Sequence, residues 1–352
     1  MTYTRSLSFT HGKPFLGAMM GLARPLISDL KLDRGSTSAR CPGVQPPHIG
    51  DANNEESVTQ TNAGRRAYVA CFALSAIVST TMKYDAMRWS SQLDSACSIL
   101  SAHSEVEGDQ ILVALARLAK VALDAGDIYR QVSEDSETTV HPAFSIAPLK
   151  SSLSQTKDTL NSEQLQHSSV VTYIYAAEAA IYELALLQPP TPLMRYCDHN
   201  LKRIEYLTGL LQTCKGCTEH FLAFDLRHIT APMMIVFGYS MKLCYSLLTL
   251  QISGWDTAMA RMTLDPATCF ERAIDHCEQT NNALKFETGE DSIFKQAAET
   301  MRSSASQWRL PTERRDPSLG LDAFASGADF GLVDLPSLEF SEDFWLNTNC
   351  NF

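Results

Sequence analysis

The stretch Gly64–Asp94, GRRAYVACFALSAIVSTTMKYDAMRWSSQLD, decides how this chain is read. Arg65 and Arg66 open an apolar run rich in Ala, Val, Leu and Ile that carries Cys71 and is long enough for several helical turns. A polar turn follows, and Met87-Arg88-Trp89 leads into a second helix. Tyr68, Phe72 and Leu74 are expected on the core side of the first helix, with Trp89 covering the junction to the next. Arg65, Arg66 and Arg88 are expected to pair with carboxylates or cap helix carbonyls rather than touch a ligand.

The remainder is helical in the same way. In EVEGDQILVALARLAKVALDA (105–125), Ile111, Leu115, Leu118 and Ala122 recur at helical spacing, with Glu107, Arg117 and Lys120 elsewhere. Further helices are expected at Val170–Leu187, stopped by Pro189-Pro190, and at Pro192–Cys214, Ala231–Ile252, Pro266–Phe286 and Asp291–Ser306. Pro192 and Pro266 suit first-turn positions, where the missing amide hydrogen is no loss. Alternating strand patterns are scarce, and no repeat of solenoid length is found. Residues 34–63 read as a Gly/Ser/Pro-rich loop and 133–167 as a polar, partly ordered insertion anchored by Phe144 and Ile146. The expectation is an all-α bundle over residues 1–306, followed by a disordered acidic tail over 307–352.

Charge limits the function. The net charge is −11, which argues against unaided nucleic-acid binding. From Asp316 onward there are seven acids and no Lys or Arg, so −7 belongs to that segment and −4 to everything before it. The ten cysteines, several in apolar helical runs, suit a reduced compartment, where Cys acts as a small hydrophobe. No secretory leader pattern is present. Ala231–Ile252 is about long enough to cross a bilayer, but Lys242 near its middle points to a buried core helix and no membrane partner.

Four steps in order resemble the regulatory domain of fungal zinc-cluster (Zn2Cys6-type) transcription factors. GLARPLISDLKLDR (21–34) is similar to a family helix ending in an Asp-Leu-x-Leu step, here Asp29-Leu30-Lys31-Leu32. The Arg65-Arg66 pair with its Cys71-bearing helix, the Arg88-Trp89 step and DQILVALARLAKVA (109–122) follow in family order. The likeness covers roughly Leu16–Ala125. It implies an all-α regulatory fold in which Arg65, Arg66, Cys71, Arg88 and Trp89 are packing residues, without catalysis. It also implies a nuclear regulator of RNA polymerase II genes, most similar to regulators of secondary-metabolite clusters. The family's DNA-binding module needs six crowded cysteines beside Lys and Arg. Here the first two cysteines are Cys41 and Cys71, so that module is expected to be missing. No cofactor is expected, because the zinc belongs to that module. DNA would be reached only through a partner or through missing N-terminal sequence, and the body would inhibit, sense or form a homodimer.

The tail supplies the expected output. Acids alternate with aromatics in LDAFASGADFGLVDLPSLEFSEDFWLNTNCNF (321–352), a composition that keeps apolar groups solvated yet lets a short helix form in a partner's groove. Phe340, Glu342, Asp343, Phe344, Trp345 and Leu346 are its densest cluster and the expected contact with coactivators or the general transcription machinery. A plain acidic terminus, or a tail docked on its own domain, has the same composition. The rival for the whole chain is a helical ligand-sensing or scaffold protein without transcriptional output.

One local pattern suggests metal or redox chemistry. Cys214-Lys215-Gly216-Cys217 precedes His220, and Cys197 with His199 could complete a tetrahedral zinc set. The helical run before Cys214 favours structural cysteines at a helix-end turn, because a CxxC redox centre expects a strand there. His141, His167, His228 and His276 are isolated, and Arg314-Arg315 is too thin for a nuclear signal. No phosphate loop, nucleophile elbow or His-Glu-x-x-His pair occurs.

Overall fold

A computed structural model describes residues 21–22, 25–30, 32, 61–83, 86–134, 142–187 and 197–304. These residues are helical with no strand among them, so the fold is all-α. The acidic segment 316–352 lies outside them, as does most of the 34–63 loop. Where a single body is expected, the chain divides into two compact units, Met1–Pro190 and Thr191–Phe352.

In the first unit, α1 (Asn62–Met82) starts where Thr61 Oγ1 accepts from the Gly64 amide at 3.1 Å. It ends at Lys83, whose backbone turns left-handed (φ 60°). Ser90 Oγ caps α2 (Ser91–Ala102) by accepting from the Leu93 amide. The centre is α3 (Gly108–Glu134), packed against α1, α2, α4 (Ala143–Asp158) and α6 (Ser168–Glu183). Its burial is wider than the expected stripe. Leu118 and Ala122 are buried, together with Val113, Ala114, Ala116, Ala119, Val121, Leu123 and Ala125, whereas Ile111 and Leu115 are half-buried. Alanines on several faces let neighbouring helices come close all round. Upstream, residues 25–29 are helical; Asp29 and Leu30 are exposed and Leu32 is buried.

The expected insertion at 133–167 is corrected by the structure. Residues 143–158 form α4 (Ala143–Asp158) and 162–166 form α5 (Ser162–Gln166). Ile146, Leu149 and Leu153 bury one narrow stripe of α4, while Ser151 and Ser154 are exposed and Ser145, Ser152 and Thr156 half-buried. Packing on α3 and α6 therefore sustains a helix that contains Pro148 and is poor in helix formers. A reciprocal Asn161–Gln164 capping box starts α5. The unit closes with α6 (Ser168–Glu183) and a 3₁₀ turn, Leu184–Leu186.

The second unit holds α7 (Cys197–Ala223), α8 (Ala231–Thr249), α9 (Thr257–Thr263), α10 (Pro266–Thr288) and α11 (Ile293–Ser304). Asp265 caps α10 by accepting from the Thr268 amide at 3.1 Å, with Pro266 in the first turn; Pro192 lies outside the described residues. The core helix is α8, where Phe237 stacks on Phe221 (centroids 4.1 Å apart) and meets Phe270 edge-on at 6.2 Å. Ala231–Thr249 and Ser168–Leu186 are long and apolar enough to cross a membrane, yet 78% and 67% of them are buried inside the protein. Lys242 sits at a half-buried edge of α8.

Candidate functional site

The Arg-Arg and Arg-Trp steps both lie in the first unit. From α1, Arg66 donates through Nε to Asp109 Oδ1 (2.7 Å) and through Nη2 to Asp109 Oδ2 (3.0 Å) and Glu105 Oε2 (2.9 Å). Asp109, nearly fully buried in the first turn of α3, also accepts the amides of Glu105 and Val106 at 3.2 and 3.3 Å. The Arg66 guanidinium, helped by those amides, holds the Asp109 carboxyl below the usual carboxylate range. A buried carboxylate so placed sits at the positive N-terminal end of α3, fastens the turn before it and ties it to the start of α1. Arg65 turns to its own helix and donates to Asn62 Oδ1 at 2.7 Å, an amide and not the carboxylate or helix carbonyl expected. Arg88 is exposed.

Trp89 does cover the α1–α2 junction. Its ring meets Phe72, fully buried, edge-on at 5.1 Å, and Lys120 lies 5.8 Å from its centroid. Tyr68 and Ser90 share a hydroxyl–hydroxyl hydrogen bond of 3.1 Å, so the cap of α2 is fastened to α1. Tyr68 is buried, and Leu74 only half so. Cys71 is half-buried, and burial pushes its thiol up.

A second cluster lies at the other end of α1, where nothing in the sequence singles out a site. Lys83 Nζ reaches Glu183 Oε2 at 2.5 Å and stands 4.0 Å over the Tyr129 ring. Glu183 is 5% exposed, and Lys83 supplies a counter-charge to it. Burial, with the charge of Glu183 behind it, pushes the Tyr129 phenol up to about 12. Beside it is a shallow hollow lined by Ser79, Thr80, Lys83, Leu123, Gly126 and Arg130. The Thr80 hydroxyl there is buried without a partner, and Arg130 pairs with Asp127 on its own helix.

The CxxC pair is not at a helix-end turn: α7 runs through Cys214 and Cys217 to Ala223. Both thiols are buried, and Cys217 faces the Val236 carbonyl at 3.9 Å. Desolvation pushes Cys217 up to about 12, and Cys269 and Cys277 to about 11 and 12. Such thiols are poor nucleophiles and reluctant ligands. The side chains of Cys197 and His199 lie outside the described residues, among which no three His, Cys, Asp or Glu groups gather as a metal set. Phe340, Glu342, Asp343, Phe344, Trp345 and Leu346 also lie outside them.

No family model and no solved structure matches this chain. Among curated proteins, it is 22% identical over 343 residues to the transcription factor opdL of Penicillium oxalicum (strain 114-2 / CGMCC 5302), an alignment covering 89% of this chain. The chain spans 58% of that relative's length. It is thus a distant relative of a fungal transcription factor.

Proposed function

We propose that this chain is a regulator of transcription of the zinc-cluster type, acting on RNA polymerase II genes of a secondary-metabolite cluster in the nucleus. The observation that carries the reading is the extended similarity to opdL, which runs across both helical units rather than one short motif. The helical units form the regulatory body, in which Arg65, Arg66, Cys71, Arg88 and Trp89 serve packing. The acidic segment recruits coactivators or the general machinery through Phe340, Glu342, Asp343, Phe344, Trp345 and Leu346. Within these 352 residues no six cysteines crowd together, so DNA is reached through a partner or through sequence outside this chain. A role without catalysis agrees with the buried, high-pKa thiols of the second unit. Deleting the gene and measuring transcripts tests this: a confined set of co-located genes should change and return on complementation. An unchanged transcriptome would overturn the reading in favour of a scaffold.

A further inference from the structure

We draw no further inference here: the strongest candidate, the shallow hollow between α1 and α3 lined by Ser79, Thr80, Lys83, Leu123, Gly126 and Arg130, has both cations engaged by the carboxylates of Glu183 and Asp127, and nothing in the structure shows a ligand able to displace them.

Discussion

Arg66 on α1 holds the buried carboxylate of Asp109 at the start of α3 through two hydrogen bonds, of 2.7 and 3.0 Å, across 43 residues of sequence. The same guanidinium reaches Glu105, but that carboxylate is 58% exposed and contributes little. Removing the arginine strands a desolvated charge, whereas removing Glu105 strands nothing. Unfolding midpoints should therefore fall in the order wild type, Glu105→Ala, Arg66→Lys, Arg66→Ala, since lysine offers one point charge in place of a fork. Equal midpoints for Glu105→Ala and Arg66→Ala would contradict the assignment.

The same pair fixes a pH dependence. Because Asp109 is held below its ordinary value when folded, its stabilisation is present above the unfolded pKa of about 3.9 and is lost as pH falls towards the lower folded value. The stability gap between wild type and Arg66→Ala should be full near neutrality and shrink below about pH 4. Denaturant titrations of both proteins across that range measure it. A gap that widens in acid would show the wrong sign.

Lys83 is held in place by two other helices. Glu183, 100 residues away, and Tyr129 hold its ammonium while its backbone sits in the left-handed region. Lys83→Met should cost about 3 kcal/mol by taking away the cation that faces the buried Glu183 carboxylate. The double variant Lys83→Met/Glu183→Leu should recover most of that loss. Lys83→Gly relieves backbone strain of about 1 kcal/mol and should fall between Lys83→Met and wild type. A urea-denaturation cycle reads the coupling, and additive single effects would remove the pair from the account.

How much of this was legible beforehand follows from the kind of signal each part leaves. The helices α1, α3 and α8 announce themselves through long apolar runs, and α10 through Pro266 in its first turn. α4 does not, because its apolar stripe is only Ile146, Leu149 and Leu153 among serines, with Pro148 inside it. The helix-end turn expected at Cys214 and Cys217 is absent, because packing carries α7 straight through Gly216. The Arg66 pairing matches the local expectation of a carboxylate, but neither Asp109 nor the Lys83–Glu183 contact is marked by spacing. Such partners are chosen by the fold, and no periodicity reports them. The division near Pro190 is equally silent, since apolar helices lie on both sides of it.

Gly254 is required by its surroundings in the second unit. Its φ is +86°, and a Cβ there would lie 2.7 Å from Ile204 Cδ1. Gly254→Ala should destabilise by about 1–2 kcal/mol, from backbone strain. Adding Ile204→Val opens the space without changing the dihedral, so it should rescue little. Full rescue in thermal denaturation would place the cost in the clash instead.

The thiols offer a test without mutation. Cys97, Cys214, Cys217, Cys244, Cys269 and Cys277 are buried, and burial raises each described shift among them. Under native conditions a short maleimide pulse read by mass spectrometry should label Cys71 ahead of all six. Unfolding in denaturant should then expose every one. Rapid native labelling of Cys214 or Cys217 would restore a reactive CxxC centre to consideration.

The central claim is transcriptional output through the acidic, aromatic segment. It is tested most directly by fusing residues 311–352 to an unrelated DNA-binding module upstream of a reporter. The account predicts activation at least about tenfold over the module alone, a difference of about 1.4 kcal/mol in recruitment. Phe344→Ala/Trp345→Ala should return it to background at equal protein level. A silent fusion, or one indifferent to Phe344 and Trp345, would contradict the claim.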